Sequence, residues 1–566
     1  MIDNLDFHTA SRRHLLVECP DLVATMHLHQ ALEAAELDGI EELIPAARTV
    51  LIRFDPARTS APVLEDRIRR LEHTGADSTE SREVTIDVVY DGEDLAEVAE
   101  LLSLSTAEVV ARHQRATWQV AFSGFAPGFG YLAGDDPIFN VPRRSSPRTR
   151  VPVGAVALAG EFTGVYPRAS PGGWQLIGRT DATLWDLDRQ PPALFVPGTT
   201  VKFREAKRES VTVAETSAES SSSQKGAPAQ PEPSPQPVSS SQPGKVASAH
   251  AFTVIRPGLQ LLIQDLGRPG FAAMGVSSAG AADRSALRAA NRLVGNAETT
   301  AGLESVGGGA KLAIAGDGVA AVTGAHSTIT VTSAGGTVYR HHLGEAFSLE
   351  DGDELELGAA ERGTRVYVAI RGGIETETAL GSASADTLAH LGPAHLEPDT
   401  TVTLGRPESA PQLVDPVRGS GHERHLPTPG ETIEMSVTLG PRDDWFTSAG
   451  IETLLGQEWT VTHESDRVGL RLDGEVPLER SRTGELPSEG AVTGALQVPP
   501  NGQPVLFGPD HPLTGGYPII ASVDDTDLAA QLAPGVIIRF VTDDSPVTVD
   551  GATTTDHIHH SPENGH

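Results

Sequence analysis

A single cysteine, Cys19, stands among 566 residues. That excludes an internal disulfide framework and any thiolate metal cluster built by this chain alone. In a strand Cys19 reads as a small buried hydrophobe. Lysine is nearly as scarce: only five occur, three of them (Lys207, Lys225 and Lys245) in a Ser/Pro-rich stretch, so arginine must supply any phosphate-binding cation. No Gly-x-x-x-x-Gly-Lys-Ser/Thr loop is present. No run of about 18 apolar residues exists, which predicts no membrane span. The opening Met1-Ile-Asp-Asn-Leu-Asp6 is acidic where a secretory leader needs a basic start and an apolar middle, so a cytoplasmic protein is expected. Aromatic residues make up only 5%, but 39% apolar residues suffice for ordinary cores. Basic residues number 43 against 76 acidic ones, and the net charge of −33 opposes binding to nucleic acid or to an anionic membrane.

The length exceeds one hydrophobic core, and a prior of roughly 150 residues per domain gives three or four. Residues 1–85 alternate strand and helical patterns: His14–Glu18 and Thr49–Phe54 as strands, Leu22–Leu37 and Ala61–Leu71 as amphipathic helices. This suggests a small α+β lobe of ferredoxin-like type. Residues 86–205 read as a β-barrel. Two short helices are expected between Leu95 and His113, the second opened by a capping box at Ser105-Thr-Ala-Glu108. After them, short apolar runs alternate with Gly and Pro turns up to Phe203. Residues 206–250, rich in Ser and Pro, are expected to be a disordered tether. A second globular part follows, expected as a first barrel at 251–405 and a second at 406–543, with a frayed tail at 544–566. The fold class is mainly β.

The grammar of the first barrel returns near the end of the chain. Gly154-Ala-Val-Ala-Leu158 is echoed by Gly494-Ala-Leu-Gln-Val498, Pro171-Gly-Gly-Trp-Gln-Leu-Ile177 by Leu513-Thr-Gly-Gly-Tyr-Pro-Ile-Ile520, and Pro197-Gly-Thr-Thr-Val-Lys-Phe203 by Pro534-Gly-Val-Ile-Ile-Arg-Phe540. Three echoes in one order predict a duplicated barrel unit.

Phe125-Ala-Pro-Gly-Phe-Gly-Tyr-Leu132 with Ser170-Pro-Gly-Gly-Trp174 resembles the B component of the bacterial three-component 5-oxoprolinase (allophanate hydrolase subunit 1, or Kip inhibitor, family). Gln264-Asp-Leu-Gly-Arg-Pro-Gly270, Gly280-Ala-Ala-Asp283, Ala290-Asn-Arg-Leu-Val-Gly-Asn296, Leu303-Glu304, Ser465-Asp-Arg467 and Thr514-Gly-Gly-Tyr517 resemble its C component (allophanate hydrolase subunit 2, the biotin-dependent carboxyltransferase-like family). The chain therefore resembles a B–C fusion. The resemblance implies cyclophilin-like barrels and an ATP-dependent opening of the 5-oxo-L-proline lactam to glutamate, together with a separate 5-oxoprolinase A component. A lactam is a poor electrophile, and phosphorylating its carbonyl oxygen would make attack by water feasible. ATP and Mg²⁺ are the implied cofactors, and a homo-oligomer is compatible with the pattern.

Phosphoryl transfer needs cations and amides around the phosphates. Arg143, Arg144, Arg148 and Arg179 in the first part, and Arg268, Arg467 and Arg471 in the second, are embedded in the family motifs. Asp265, Asp283, Glu304 and Asp466 are the matching carboxylates, suited to hold Mg²⁺ through water or to orient a nucleophile. Asp265, Arg268, Asp466 and Arg467 are the catalytic candidates. Asp283 fits a helix cap equally well, and Asp466 could pair with its neighbour Arg467. Phe129, Tyr131, Trp174 and Tyr517 could wall a small-molecule pocket or simply be core, while Gly172, Gly173, Gly515 and Gly516 allow close backbone approach. Asn291, Gln497 and Thr514 complete the binding candidates.

His341-His342 and His557-Ile-His-His560 lack the carboxylate or cysteine partners of a zinc site, so no metal centre is expected from them. Ser277-Ser-Ala-Gly280 is not the Gly-Gly-Ser-Ser amidase signature. Three departures from the family bear on substrate identity more than on fold: Glu161 where a glutamine is usual, Gly381-Ser-Ala-Ser384 without its arginine, and the shortened Asp91-Gly-Glu-Asp-Leu95. A carboxyltransferase component of a urea-carboxylase-like system is the enzymatic alternative. It would need biotin from another protein, since no Ala-Met-Lys-Met attachment site lies in this chain. A kinase-inhibitor-like regulator is the non-enzymatic alternative, and it accounts only for residues 10–205.

Overall fold

The computed structural model describes residues 4–71, 82–144, 146–206, 250–406, 424–484 and 486–542. The expected tether and tail, and most of the polar stretch after Leu404, lie outside the described residues. The N-terminal lobe contains β1 (Asp6–Ser11), β2 (His14–Glu18), α1 (Leu22–Ala35), β3 (Ile40–Pro45), β4 (Thr49–Phe54) and α2 (Ala61–Arg69). Its antiparallel sheet runs β1-β2-β4-β3. Two of these strands, β1 and β3, were not expected. Glu41-Glu42 interrupts the alternation of β3, and β1 carries only one buried residue, Ala10.

The first barrel comprises β5 (Glu83–Val88), α3 (Leu95–Leu101), α4 (Thr106–Arg115), β6 (Trp118–Ser123), β7 (Gly130–Gly134), β8 (Arg148–Val151), β9 (Ala155–Ala159), β10 (Phe162–Val165), β11 (Ser170–Gly172), β12 (Gln175–Arg179) and β13 (Thr200–Glu205). The expected capping box forms: Ser105 Oγ accepts from the Glu108 amide while the Glu108 carboxylate accepts from the Ser105 amide. The main sheet runs β12-β9-β10-β7-β6-β13-β5, and the Val89–Arg179 bridge brings its edges together.

The middle unit contains β14 (Ala251–Arg256), β15 (Gln260–Gln264), α5 (Arg284–Val294), β16 (Gly302–Val306), β17 (Lys311–Ala315), β18 (Gly318–His326), β19 (Ile329–Thr332), β20 (Val338–His341), β21 (Ala346–Leu349), β22 (Glu354–Leu357), β23 (Arg362–Ile370) and β24 (Thr401–Thr403). Two sheets, β20-β19-β22-β17-β14-β24 and β15-β16-β23-β18-β21, enclose an aliphatic core that includes Phe252, Leu355 and Val366. Asp283 caps α5 by accepting from the Ala286 amide at 2.9 Å.

The last barrel contains β25 (Thr432–Leu439), α6 (Ser448–Gly456), β26 (Trp459–Val461), β27 (Gly469–Asp473), β28 (Glu489–Gly490), β29 (Ala495–Gln497), β30 (Val505–Phe507), β31 (Thr514–Gly515), β32 (Ile519–Val523), α7 (Thr526–Ala529) and β33 (Ile537–Val541). It closes in the order β25-β32-β29-β30-β27-β26-β33.

That order is the order of the first barrel, strand for strand. Each closes through one parallel pair, β5 with β13 and β25 with β33, among antiparallel neighbours. Each adds a small two-stranded sheet, β8-β11 and β28-β31. The match reaches single side chains. Trp118 Nε1 donates to the His113 carbonyl and Trp459 Nε1 to the Leu454 carbonyl, both at 3.0 Å and both five residues back into the preceding helix. Gly134 and Gly474 lie flat against those two indoles, where a Cβ would approach ring carbon within 2.6 and 2.5 Å. The three sequence echoes fall on β9/β29, on β11–β12/β31–β32 and on β13/β33.

Candidate functional site

The lobe and first barrel meet the middle unit and last barrel along one face. The Gly128 amide donates to the Met274 carbonyl at 2.9 Å, and the Ala47 amide to the Ser488 carbonyl at 3.0 Å. Gly124 sits against the Thr514 side chain, and a Cβ on Gly275 would stand 2.6 Å from the Ala126 carbonyl oxygen. The lobe adds a buried ion triad: Arg442 Nη1 donates to Glu18 at 2.6 Å, and the rest of its guanidinium grips Glu489. Arg442 and Glu489 are both buried. The Glu18 carboxyl is held down at about 2, first by its hydrogen bond to His8 and then, against its burial, by Arg442.

At this face the structure brings together candidates from both halves. Phe129, Tyr131 and Trp174 pack edge to face, with centroids 5.1 to 5.4 Å apart, and Tyr166 lies 5.3 Å from Phe129. All four rings are buried, so they form the floor of the face rather than an open wall. Burial pushes the Tyr131 phenol up, while Arg143, Ser488 and Thr514 act against that shift. The Arg143 guanidinium lies beside the Gly515-Gly516 turn, 3.4 Å from where a Gly516 Cβ would stand. Gln497 Nε2 fills the corresponding place at Gly515, and Tyr517 is 44% exposed. The Gly173 carbonyl accepts from the Arg144 amide at 2.8 Å, and Gly172 gives room to the Tyr166 hydroxyl.

A residue not singled out from sequence organises these arginines. Asp94, 3% exposed, accepts from Arg144 Nη1 at 2.6 Å, from Arg148 Nη2 at 2.8 Å and from the Leu176 amide at 2.7 Å. Burial alone would raise its carboxyl, but the Arg148 hydrogen bond and the Leu176 amide outweigh it and hold Asp94 below the usual range. The shortened Asp91-Gly-Glu-Asp-Leu95 segment thus keeps the carboxylate that fixes two arginines.

A second group of candidates gathers elsewhere, at the junction of the middle unit with the last barrel. Arg467 donates through Nε and Nη2 to Asp510, both at 2.9 Å, through Nη1 to Glu304, and through Nη2 to the Gly280 carbonyl at 2.7 Å. Both carboxylates are fully buried and the guanidinium is 2% exposed. Glu304 also accepts from the Ala282 amide and the Tyr367 hydroxyl, with Arg365 Nε at 3.5 Å. Burial would raise the Glu304 carboxyl, yet Arg467 and Arg365 hold it low. Asp283 accepts from Ser285, Ala286 and Gln531, and burial together with Asp527 raises it.

Asp265 accepts from the Gly267 and Ala383 amides and from the Ser382 and Ser384 hydroxyls, so both its oxygens are engaged in fixing the Gly381–Ser384 loop. Arg268, 1% exposed, donates to the Ala379 and Ser384 carbonyls of the same loop. Asn291 ties the turn after α5 by donating to the Thr300 carbonyl at 2.7 Å. The remaining candidates stand apart. Asp466 is exposed and accepts from the Val468 and Gly469 amides in its own turn, Arg471 is exposed near Glu464, and Arg179 is exposed and 3.2 Å from Asp91. Asp466 does not pair with Arg467, because the arginine is buried at the junction while Asp466 stays at the surface. No helix of the described residues is long and apolar enough to cross a membrane.

Residues 5–195 match the family described as carboxyltransferase domain, subdomain C and D, and residues 274–542 match carboxyltransferase domain, subdomain A and B. The chain is 41% identical to the 5-oxoprolinase B component of Escherichia coli O157:H7 over 31% of its own length and 81% of that protein's. It is 33% identical to the 5-oxoprolinase C component of Escherichia coli K12 over 51% of its length and 90% of that protein's. The urea amidolyase of Saccharomyces cerevisiae is 30% identical over 51% of this chain but only 16% of that much longer protein. Among solved structures, TTHA0988 superposes with a TM-score of 0.73 at 32% identity, covering 94% of this chain and 99% of that one. With both halves matched and docked through their duplicated barrels, the chain belongs to the carboxyltransferase-domain family and joins in one polypeptide parts similar to the B and C components of 5-oxoprolinase.

Proposed function

We propose that this chain is the combined B and C component of an ATP-dependent 5-oxoprolinase, acting with a separate A component. In that reaction 5-oxo-L-proline, ATP and two waters give L-glutamate, ADP and phosphate. One observation carries the reading: parts similar to two separate oxoprolinase polypeptides meet at a face where Arg143 of one half lies against the Gly515-Gly516 turn of the other. Arg143, Arg144 and Arg148 with the amides of Gly172-Gly173 and Gly515-Gly516 supply the donors a polyphosphate needs in a lysine-poor chain. Asp265, Asp283 and Glu304 have their oxygens occupied by N–H and O–H donors, so Mg²⁺ would arrive held by the nucleotide's phosphates. In this reading Asp265 and Arg268 hold the Gly381–Ser384 loop and Arg467 holds the junction of the middle unit with the last barrel, apart from that face.

The test is phosphate release from ATP by the purified chain with a cognate A component, with and without 5-oxo-L-proline, while glutamate is followed. Lactam-dependent phosphate release with equal glutamate supports the reading, and its absence overturns it. The similarity to urea amidolyase supports a second reading, a carboxyltransferase served by a biotin-bearing protein. That reading predicts capture of a biotinylated carrier protein and no lactam-dependent phosphate.

A further inference from the structure

The duplication puts the same small sheet into the chain twice, and only one copy is covered. β28-β31 pairs Glu489 with Gly515 and Gly490 with Thr514, while β8-β11 pairs Val151 with Ser170 and Arg148 with Gly172. Counted back from the echoed Gly494 and Gly154, Arg150 stands where Gly490 does and Pro152 where Val492 does. The lobe lies on the second copy. The Ala47 amide donates to the Ser488 carbonyl at 3.0 Å, and a Cβ on Gly490 would stand 2.8 Å from Leu51. Leu16, Ile44 and Leu51 of the lobe share one apolar cluster with Ala491, Val492 and Leu513, and residues 488–492 are all buried.

The first copy is open. Thr149, Arg150, Pro152, Val153 and Pro171 are exposed, Val153 at 64%. Of β8 only Val151 is buried, in a cluster with Ala155, Tyr166 and Trp174 of its own barrel. The open copy also carries a charge opposite to that of the chain. Residues 137–180 hold six arginines, no lysine and one carboxylate, Glu161, whereas the whole chain has a net charge of −33. Arg144 and Arg148 pair with Asp94, and Arg179 lies beside Asp91. Arg150 makes no ion pair with any described residue. Arginine among exposed apolar residues is the composition of a protein interface, and a local cationic patch on an acidic molecule draws an acidic partner.

We propose that the small sheet β8-β11 docks a separate polypeptide through an acidic contact surface, as its twin β28-β31 docks the lobe. A second copy of this chain does not supply the counterpart. The surface that covers β28-β31, carried by Leu16, Ile44 and Leu51 of β2, β3 and β4, is already buried within each chain. The open sheet also borders the face described above: Gly172 ends β11, and the Gly173 carbonyl accepts from the Arg144 amide. A polypeptide seated on β8-β11 would therefore stand next to the arginines assigned to the polyphosphate. Naming that polypeptide as the A component rests on the function proposed above; the vacancy of the sheet does not.

The test is titration of the full chain with a labelled cognate A component, at about 50 and about 300 mM salt, with sedimentation of the chain alone beside it. Binding is expected to weaken severalfold at the higher salt, since the attraction is between charges at a surface. Arg150→Glu and Val153→Asp should each weaken it roughly tenfold or more, Arg150→Lys by less than about threefold. The salt dependence should flatten in Arg150→Glu. Val338→Asp, at a similarly exposed apolar position on β20, should change nothing. All three positions are exposed, so unchanged melting curves are expected and would show that the variants fold.

Full affinity in both Arg150→Glu and Val153→Asp would overturn the proposal, as would no association with the A component at all. So would a chain that self-associates and is dispersed by Arg150→Glu, which would make this face a contact between copies. Loss of ATP binding in Arg150→Glu with A-component binding intact would assign the patch to the nucleotide instead. Lactam-dependent phosphate release that survives both substitutions at limiting A component would refute this surface and leave the oxoprolinase reading intact. Association with the expected variant pattern but no lactam-dependent phosphate would do the reverse.

Discussion

Replacing Arg467 by methionine should loosen the junction between the middle unit and the last barrel. The guanidinium makes two bonds to Asp510, one to Glu304 and one to the Gly280 carbonyl, all in the interior. Methionine fills much of the volume but strands two carboxylates with no exposed surface. Removing one partner of a buried pair costs about 3–5 kcal/mol, mainly as uncompensated charge. Glu304 retains Arg365 at 3.5 Å and the Tyr367 hydroxyl, while Asp510 keeps only the Thr387 amide and hydroxyl, so most of the loss falls on Asp510. At roughly 2–4 °C per kcal/mol for a unit of 150–250 residues, the apparent melting temperature should drop by about 6–20 °C.

The sign with pH is fixed. Without the cation both carboxylates prefer the protonated form in the fold more than in the unfolded chain, so the deficit is largest at neutral pH and shrinks on acidification. Adding Asp510→Asn to Arg467→Met should recover part of the loss, because it removes the stranded charge. Calorimetric scans at pH 7.5 and pH 5 would read both effects. A drop below about 2 °C at neutral pH, or a deficit that grows toward acid, would refute the reasoning.

Three further outcomes follow from the same structure. Asp94→Asn should free Arg144 and Arg148, and if these cations serve a polyphosphate it should weaken nucleotide binding severalfold, measured by titration with ATP, with only a modest change in melting temperature. His113, buried and held near 3 by that burial, is neutral in the fold, with its ring nitrogens bonded to Tyr90 and Thr163. Because its value is depressed, its contribution is complete above the ordinary 6.5 and is lost as pH falls toward 3, by up to about 1.4 kcal/mol per pH unit. His113→Gln should flatten that part of the stability profile. Gly275→Ala should undock the halves: its φ is +76° and the new methyl would meet the Ala126 carbonyl at 2.6 Å. Faster proteolysis between the halves in that variant is the readout.

Legibility divided along the range of the interactions. The duplication could be read because Gly-Gly turns and Pro-Gly starts are local punctuation, and both copies kept it. The caps of α4 and α5 were legible for the same reason: Ser105 with Glu108, and Asp283, act within one turn. Strand β3 was hidden because two glutamates at its centre break the alternation while its burial is supplied from elsewhere. Among site residues, Arg143, Arg144 and the two Gly-Gly turns were found through motif context and do come together. Asp94 and Asp510 were not found, since each acquires its importance from groups 43 to 123 positions away. Asp265 illustrates the converse, a motif carboxylate whose oxygens are used up by its own loop and the next.

The single parallel pair in each duplicated barrel gives the unit a direction. Because β13 runs alongside β5 and β33 alongside β25, the chain comes in at one rim and leaves at the opposite rim, about 20 Å away for a strand of six residues. A barrel built this way behaves like a bead with a hole bored through it. Copies can be strung one after another, with lobes or connectors of any length at either rim, and no strand inside a bead has to be re-laid. Genes for such units can merge or separate at the rims without disturbing closure, so one polypeptide here can carry what its relatives distribute over two.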